Sequence, residues 1–409
     1  MRRTAALLLL SLCWATPAPA ATPLPLDPPL PDLASLIPLV AAPLEKPALA
    51  SPELSLPPSP LSLPEPPPPP LLVDISQKPM AELPEPRRFP PPCVASVFGV
   101  ASELLECGRS QFRNGEYNEA RTSLEGATRG SDRALAREAR YWLAETLLRL
   151  GQLQEAERNF LLVVQAAPLS ELAPYALASL GWIGLRLNDP ARARASFSDL
   201  LRGGRAQSLI PFGRYGLALS LFGLTRYSEA REAWDALLAM PLPPPVRLEA
   251  TFWLGETLAR VGDQAGAETQ LKRFTESGLS HPLLATAVLR LGGAALAADH
   301  PLESVKAYRW FLSAFPRSPE LPWARAGLVH ALLALDDWKG AHAAAAALSL
   351  AQPTQPLILP SLLALSRRAV ERKAYGDAHF VHQELFGREL PPEVKAHVLF
   401  LDGEAFWGE

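Results

Sequence analysis

Cysteine is scarce, with only Cys13, Cys93 and Cys107 in 409 residues, and no two of them form a CxxC pair. There is also no H-E-x-x-H, no G-x-x-x-x-G-K-[ST] and no G-x-S-x-G. Metalloprotease, P-loop and nucleophile-elbow chemistry therefore have no motif to start from. Charge of one sign is lacking too. The formal net charge is −3, which steers the chain neither to nucleic acid nor to an acidic membrane surface. No basic stripe with interleaved aromatics appears, which again disfavours nucleic acid. Beyond the N-terminus no run approaches the ~18 apolar residues that a spanning helix needs, so the mature chain is expected to carry no membrane span.

What the chain does have is proline, and it is unevenly placed. Of 44 prolines, 26 fall in residues 17–92. Before them, residues 1–20 have the three parts of an export signal. Arg2 and Arg3 give a positive start, an apolar core follows, and Ala18-Pro19-Ala20 offers a cleavage site. Cys13 would be the lipidated residue of a lipoprotein, but Leu12, directly before it, stands where Gly or Ala is usual. Cleavage after Ala20 is the expectation. Residues 21–92 exclude helix and central strand by their proline runs and favour polyproline II. They read as a disordered linker. It serves as a passive spacer, or as a tether or ligand for an aromatic groove. Within it, Leu71-Leu72-Val73-Asp74-Ile75 is the candidate docking patch.

The remainder is periodic. Ala156, Ala193, Ala230, Ala267, Ser304, Ala341 and Ala378 follow one another at steps of 37, and Ala120 precedes them by 36. A fixed period of 20–50 residues signals a solenoid. In the unit from Arg137, a first helix carries Tyr141, Trp142, Leu143, Ala144, Leu147 and Leu148, and Gly151 ends it. A second carries Leu153, Ala156, Phe160 and Val163, and Pro168 stops it. Small residues recur where the two helices cross. Large ones (Phe160, Phe197, Trp234, Leu271 and Tyr308) follow four places later and plug against the next unit.

This pattern resembles the tetratricopeptide repeat (TPR), departing from it by three extra residues per unit over the usual 34. The helix wording Tyr/Phe-Trp-Leu-Ala/Gly-Glu and the run Phe315-Pro316-Arg317-Ser318-Pro319 are similar to bacterial periplasmic members. Those are the Tol–Pal-associated division coordinator and the lipoprotein that accompanies outer-membrane β-barrel assembly. The resemblance implies an all-α, right-handed superhelical solenoid of antiparallel helix pairs. About eight pairs would fill residues 93–395, and residues 396–409 would form a capping or truncated helix.

It further implies a concave groove lined by the first helix of each pair. Carried over residue by residue, the groove positions include Tyr141, Glu145, Leu148 and Arg149, then Tyr175, Trp182, Leu185 and Arg186. Phe212, Tyr215 and Phe222 follow, then Phe252, Glu256 and Arg260, and finally Trp323 and His330. Aromatics and Arg suit protein-interaction hot spots. Packing between neighbouring helices is the competing role, strongest at Tyr141 and Phe252. Trp182 and Phe222 are the favoured contact residues.

No catalytic set, cofactor site or small-molecule substrate is evident. His379 and His382 share a helix face near Asp377, but no third ligand is evident, and His382 falls on the plug position. Cys93 and Cys107 could be bridged if the first helix starts nearer Ala101 than Ala95; otherwise Cys107 is a buried thiol. The expected function is a non-enzymatic periplasmic scaffold that binds envelope proteins or peptide segments. The alternative is a structural subunit of an outer-membrane assembly, secretion or division complex. An enzyme would need a catalytic domain for which no unassigned segment is long enough.

Overall fold

The structure, a computed structural model, describes residues 56–71, 78–84, 100–204, 206–351 and 356–409. The chain divides into two units, Met1–Leu56 and Pro57–Glu409. The helices belong to the second. The signal pattern, Cys13, Cys93 and most of the patch at 71–75 lie outside the described residues.

The described residues contain helices and no strand. In order they are α1 (Ala101–Asn114), α2 (Tyr117–Ala127), α3 (Arg133–Arg149), α4 (Leu153–Ala166), α5 (Ala173–Arg186), α6 (Pro190–Gly203), α7 (Ile210–Gly223), α8 (Tyr227–Leu238) and α9 (Pro244–Arg260). Then come α10 (Gln264–Thr275), α11 (Leu284–Ala297), α12 (Pro301–Ala314), α13 (Leu321–Ala334), α14 (Trp338–Ala351), α15 (Ile358–Glu371), α16 (Tyr375–Phe386) and α17 (Pro392–Gly408). A single 3-10 turn, Gln207–Leu209, precedes α7. Each helix packs chiefly on the one before and the one after it. The first sixteen make eight pairs, and α17 stands last as a single helix.

The repeat is enforced at its corners. Residues with positive φ fall at Gly151, Asn188, Thr225, Gly262, Asp299, Asp336 and Lys373, each 37 after the last. At each, the odd helix ends in a left-handed cap. At the second corner, for example, Asn188 N–H donates to the Leu185 carbonyl and Asp189 N–H to that of Gly184. These bonds satisfy carbonyls the helix leaves free. The side-chain period is enforced in the core. Ala156, Ala193, Ala230 and Ala267 are fully buried, and so are the plugs Phe160, Phe197 and Trp234. Phe197 occupies the gap left by two missing Cβ atoms. A Cβ on Gly181 would lie 2.5 Å from its ring, and one on Gly216, in the next pair, 2.2 Å. One ring thus joins successive pairs at a distance no alanine tolerates.

Odd helices also touch one another. Contacts join α1 to α3, α5 to α7, α7 to α9, and so on to α15 and α17. This puts the odd helices on the inner side of the stack.

The proline-rich residues depart from the expected spacer. Residues 57–71 and 78–84 form no helix or strand, yet they lie on the inner face. Leu61 and Leu63 pack on the core of the later pairs, while Met80, Ala81 and Leu83 pack on that of the earlier ones. A chain without backbone N–H at its prolines cannot join a ladder. Its carbonyls and interleaved Leu side chains still seek partners, and the inner face supplies both.

Candidate inner-face binding site

The contacts run along the odd helices in reverse order. Arg367 on α15 donates to the Pro57 carbonyl at 3.3 Å. Trp323 on α13 donates through Nε1 to the Glu65 carbonyl at 3.2 Å. Arg290 on α11 donates to the Pro67 carbonyl at 2.7 Å. Arg260 on α9 meets the Glu65 carboxylate at 2.6 Å. Further on, Lys78 Nζ lies 2.5 Å from Glu145 Oε1 on α3. The Ala81 N–H donates to the Tyr141 hydroxyl at 2.9 Å, and the Arg149 guanidinium reaches the Met80 sulfur at 3.4 Å. Arg113 on α1 donates to the Pro84 carbonyl at 2.8 Å. Four of these eight contacts satisfy carbonyls that a proline-rich strand cannot pair within itself.

Two stations carry charge. At the first, the Lys78 and Glu145 side chains are 1% and 0% exposed. Burial pushes the Lys78 ammonium below its ordinary pKa, opposed by the charge of Glu145. Burial, then the Glu145 charge, holds the Tyr141 hydroxyl well above the ordinary tyrosine range. At the second, Glu256 is buried and its pKa is raised by burial, against the pull of Arg290 and Arg260. Arg149 and Arg260 hold the same register place, 111 residues or three periods apart.

The remaining groove positions fare differently. Trp182 is buried, edge-on to Phe197 at 5.4 Å and tilted against Tyr215 at 6.0 Å. Tyr215 is buried as well, with its hydroxyl on Glu249 at 2.7 Å. Phe222 is half-buried between Tyr227 and Trp253, both at 5.3 Å. Phe252 is fully buried beside Trp253 and Phe274. Leu148 and Leu185 are core residues. Tyr175 and Phe212 are half-buried, and Arg186 is exposed. The structure thus brings together Tyr141, Glu145, Arg149, Arg260 and Trp323 along one strand of chain, with Glu256 behind Arg260. Trp182 and Phe222 are held in packing. Sequence reading missed Arg113, Arg290, Arg367 and Lys78. The available signal was that Glu145 and Glu256 recur in register, which invites a search for the cation facing each.

Among the described residues, His379, His382 and Asp402 offer ligand atoms within 4.8 Å of one another. Both imidazole Nδ1 atoms face one oxygen, Asp402 Oδ1, at 2.8 and 2.7 Å, and His382 Nε2 meets Ser366 Oγ at 2.7 Å. The third group is Asp402 on α17, not the neighbouring Asp377. These three could hold a metal ion; as placed, the carboxylate ties α16 to α17. Cys107 is disulfide-bonded, and its partner lies outside the described residues. The first described helix starts at Ala101, the later of the two starts considered.

A model of the tetratricopeptide repeat family matches residues 105–171 and 215–278. Over those stretches the chain carries tetratricopeptide repeats. Among solved structures it is similar to PilW, a widely conserved type IV pilus biogenesis factor. That likeness has 21% identity over 54% of this chain and 96% of that one, with a TM-score of 0.42. It is similar to a tetratricopeptide repeat protein of Parabacteroides merdae at 16% identity, covering 66% of this chain and 98% of that one, TM-score 0.42. It is also similar to Pseudomonas aeruginosa PilF at 15% identity, covering 54% and 94%, TM-score 0.42. Likenesses at that level carry no weight for function. No curated protein matches. No described helix is long and apolar enough to cross a membrane.

Proposed function

We propose that this chain is a non-enzymatic scaffold of the bacterial cell envelope that takes extended, proline-rich segments of partner proteins on its inner face. The observation that carries the reading is the row of donors (Arg113, Arg290, Arg367 and Trp323) that grips the carbonyls of Pro84, Pro67, Pro57 and Glu65. Donors aimed at carbonyls suit any strand that cannot pair with itself, whatever its side chains. The export pattern of residues 1–20 and the disulfide at Cys107 support an exported location, since oxidising compartments permit such bonds.

The test is photocrosslinking in cells from residues 260 and 323, followed by partner identification. Recovery of exported proteins through proline-rich segments supports the reading. It fails if the crosslinked proteins are cytoplasmic, or if Arg290→Ala with Arg367→Ala leaves the crosslinks unchanged. A fusion reporter active only outside the cytoplasm checks location separately. Stoichiometric co-purification with an outer-membrane protein would favour a structural subunit instead.

A further inference from the structure

Two buried carboxylates on the inner face obtain their counter-charge from different sources. Glu145 and Glu256 are 111 residues, three periods, apart, and so are Ser179 and Arg290. In the later unit Arg290 Nε lies 3.5 Å from Glu256 Oε2, so the array neutralises its own acid. In the earlier unit Ser179 stands at the arginine's place. Its hydroxyl donates to Glu145 Oε1 at 3.1 Å, and its short side chain leaves room in front of the carboxylate. The Lys78 ammonium fills that room, 2.5 Å from Glu145 and 6.0 Å from the centre of the Phe160 ring. The Tyr141 hydroxyl next to it fixes the backbone three residues on, through Ala81 N–H at 2.9 Å.

We propose that Glu145, Ser179, Tyr141 and Phe160 form a lysine-reading pocket with Lys78 of the same chain as its resident occupant. A partner segment gains the inner face by presenting its own lysine there and displacing residues 78–84. The proposal rests on the reading of the inner face given above. The reason for lysine is electrostatic. Covered by a neutral strand, the carboxylate would lose the ammonium bonded to it, and removing one partner of a buried ion pair is strongly unfavourable. A compact ammonium fits the space a serine leaves, and the aromatic face of Phe160 favours a cation over a neutral side chain. Displacement is open to this strand because it has no secondary structure of its own. The tether gives it a high effective concentration, against which a partner must compete.

The probe is a fluorescent peptide of residues 77–86 (QKPMAELPEP), titrated into the full chain. With the Lys78→Met chain, whose resident lysine is gone, it should bind at least about tenfold more tightly than with the unaltered chain. The same peptide with methionine for its lysine should bind the Lys78→Met chain at least about tenfold more weakly. Adding Glu145→Gln should erase the difference between the two peptides while helicity is kept. Equal binding of the two peptides, no binding to the Lys78→Met chain, or no gain over the unaltered chain each overturns the proposal. So does a dimer of the unaltered chain that Lys78→Met dissociates, because Lys78 would then sit in a second copy. Crosslinked envelope partners that ignore Glu145→Gln would remove the pocket and keep the scaffold reading. Lysine discrimination without any envelope partner would do the reverse.

Discussion

The ring of Phe197 stands where a side chain on Gly216 would have to begin: an added Cβ would lie 2.2 Å from Cζ. Gly216→Ala should therefore destabilise the array. An alanine in a helix normally gains about 1 kcal/mol over glycine, but overpacking a filled core costs about 1–3 kcal/mol. The net expectation is a loss of up to about 2 kcal/mol. The control is Gly376→Ala, where an added Cβ meets nothing within 4 Å. Urea melts of both variants should move in opposite directions.

Thr225 holds a left-handed corner at φ 58°, a conformation that a β-branched side chain disfavours. Thr225→Gly should raise stability by about 1 kcal/mol. The same change at Lys373, φ 57°, should gain less, because lysine is not branched at Cβ. A lower melting temperature for Thr225→Gly would show that the threonine makes a contact worth more than the strain.

Trp182→Ala should behave as a core deletion. The indole is 7% exposed, against Phe197 and Tyr215, and removing it should cost about 3–5 kcal/mol. Arg260→Ala, by contrast, removes a contact to Glu65 on an exposed side chain and should leave melting almost unchanged. Thermal melts read both. Equal, small effects would return Trp182 to the contact surface.

His330 is held down to about pKa 4 by burial, against an ordinary value near 6.5. The folded state thus binds fewer protons than the unfolded state between those values. Above pH 6.5 this residue contributes no pH dependence, and stability falls as pH drops from 6.5 toward 4. The full shift is on the order of 3 kcal/mol. His330→Gln should flatten that part of a stability-versus-pH curve; an unchanged slope would assign it to His382 and His397, whose burial also lowers their pKa.

Reduction should add two hydrogens to the intact mass, and peptide mapping should join Cys107 to Cys93. Cys107→Ser should destabilise the first pair by about 2–4 kcal/mol. Mapping to Cys13 would overturn that pairing.

The repeat was legible because it is a one-dimensional property. A 37-residue period, small residues at helix crossings and large ones four places on are fixed by local spacing. The site was only half legible. Glu145, Arg149, Arg260 and Trp323 are singled out by the repeat, and the structure sets all four on the strand. Trp182 follows the same rule and is buried, because whether an inner-face aromatic meets solvent or Phe197 depends on how two helices lean together. Lys78 and Asp402 carry no periodic signal. The bond from Lys78 to Glu145 spans 67 residues, and Asp402 meets His382 across 20.

By itself, then, the sequence determined the helix pairs, their number and their corners, since each depends on contacts within a turn or between neighbouring helices. Tertiary structure alone decided what lies on the inner face. Prolines exclude helix and ladder wherever they stand, but they do not say which carbonyls find a donor. That depended on Arg113, Arg290, Arg367 and Trp323 being brought into line by helices up to 310 residues away from the strand they hold.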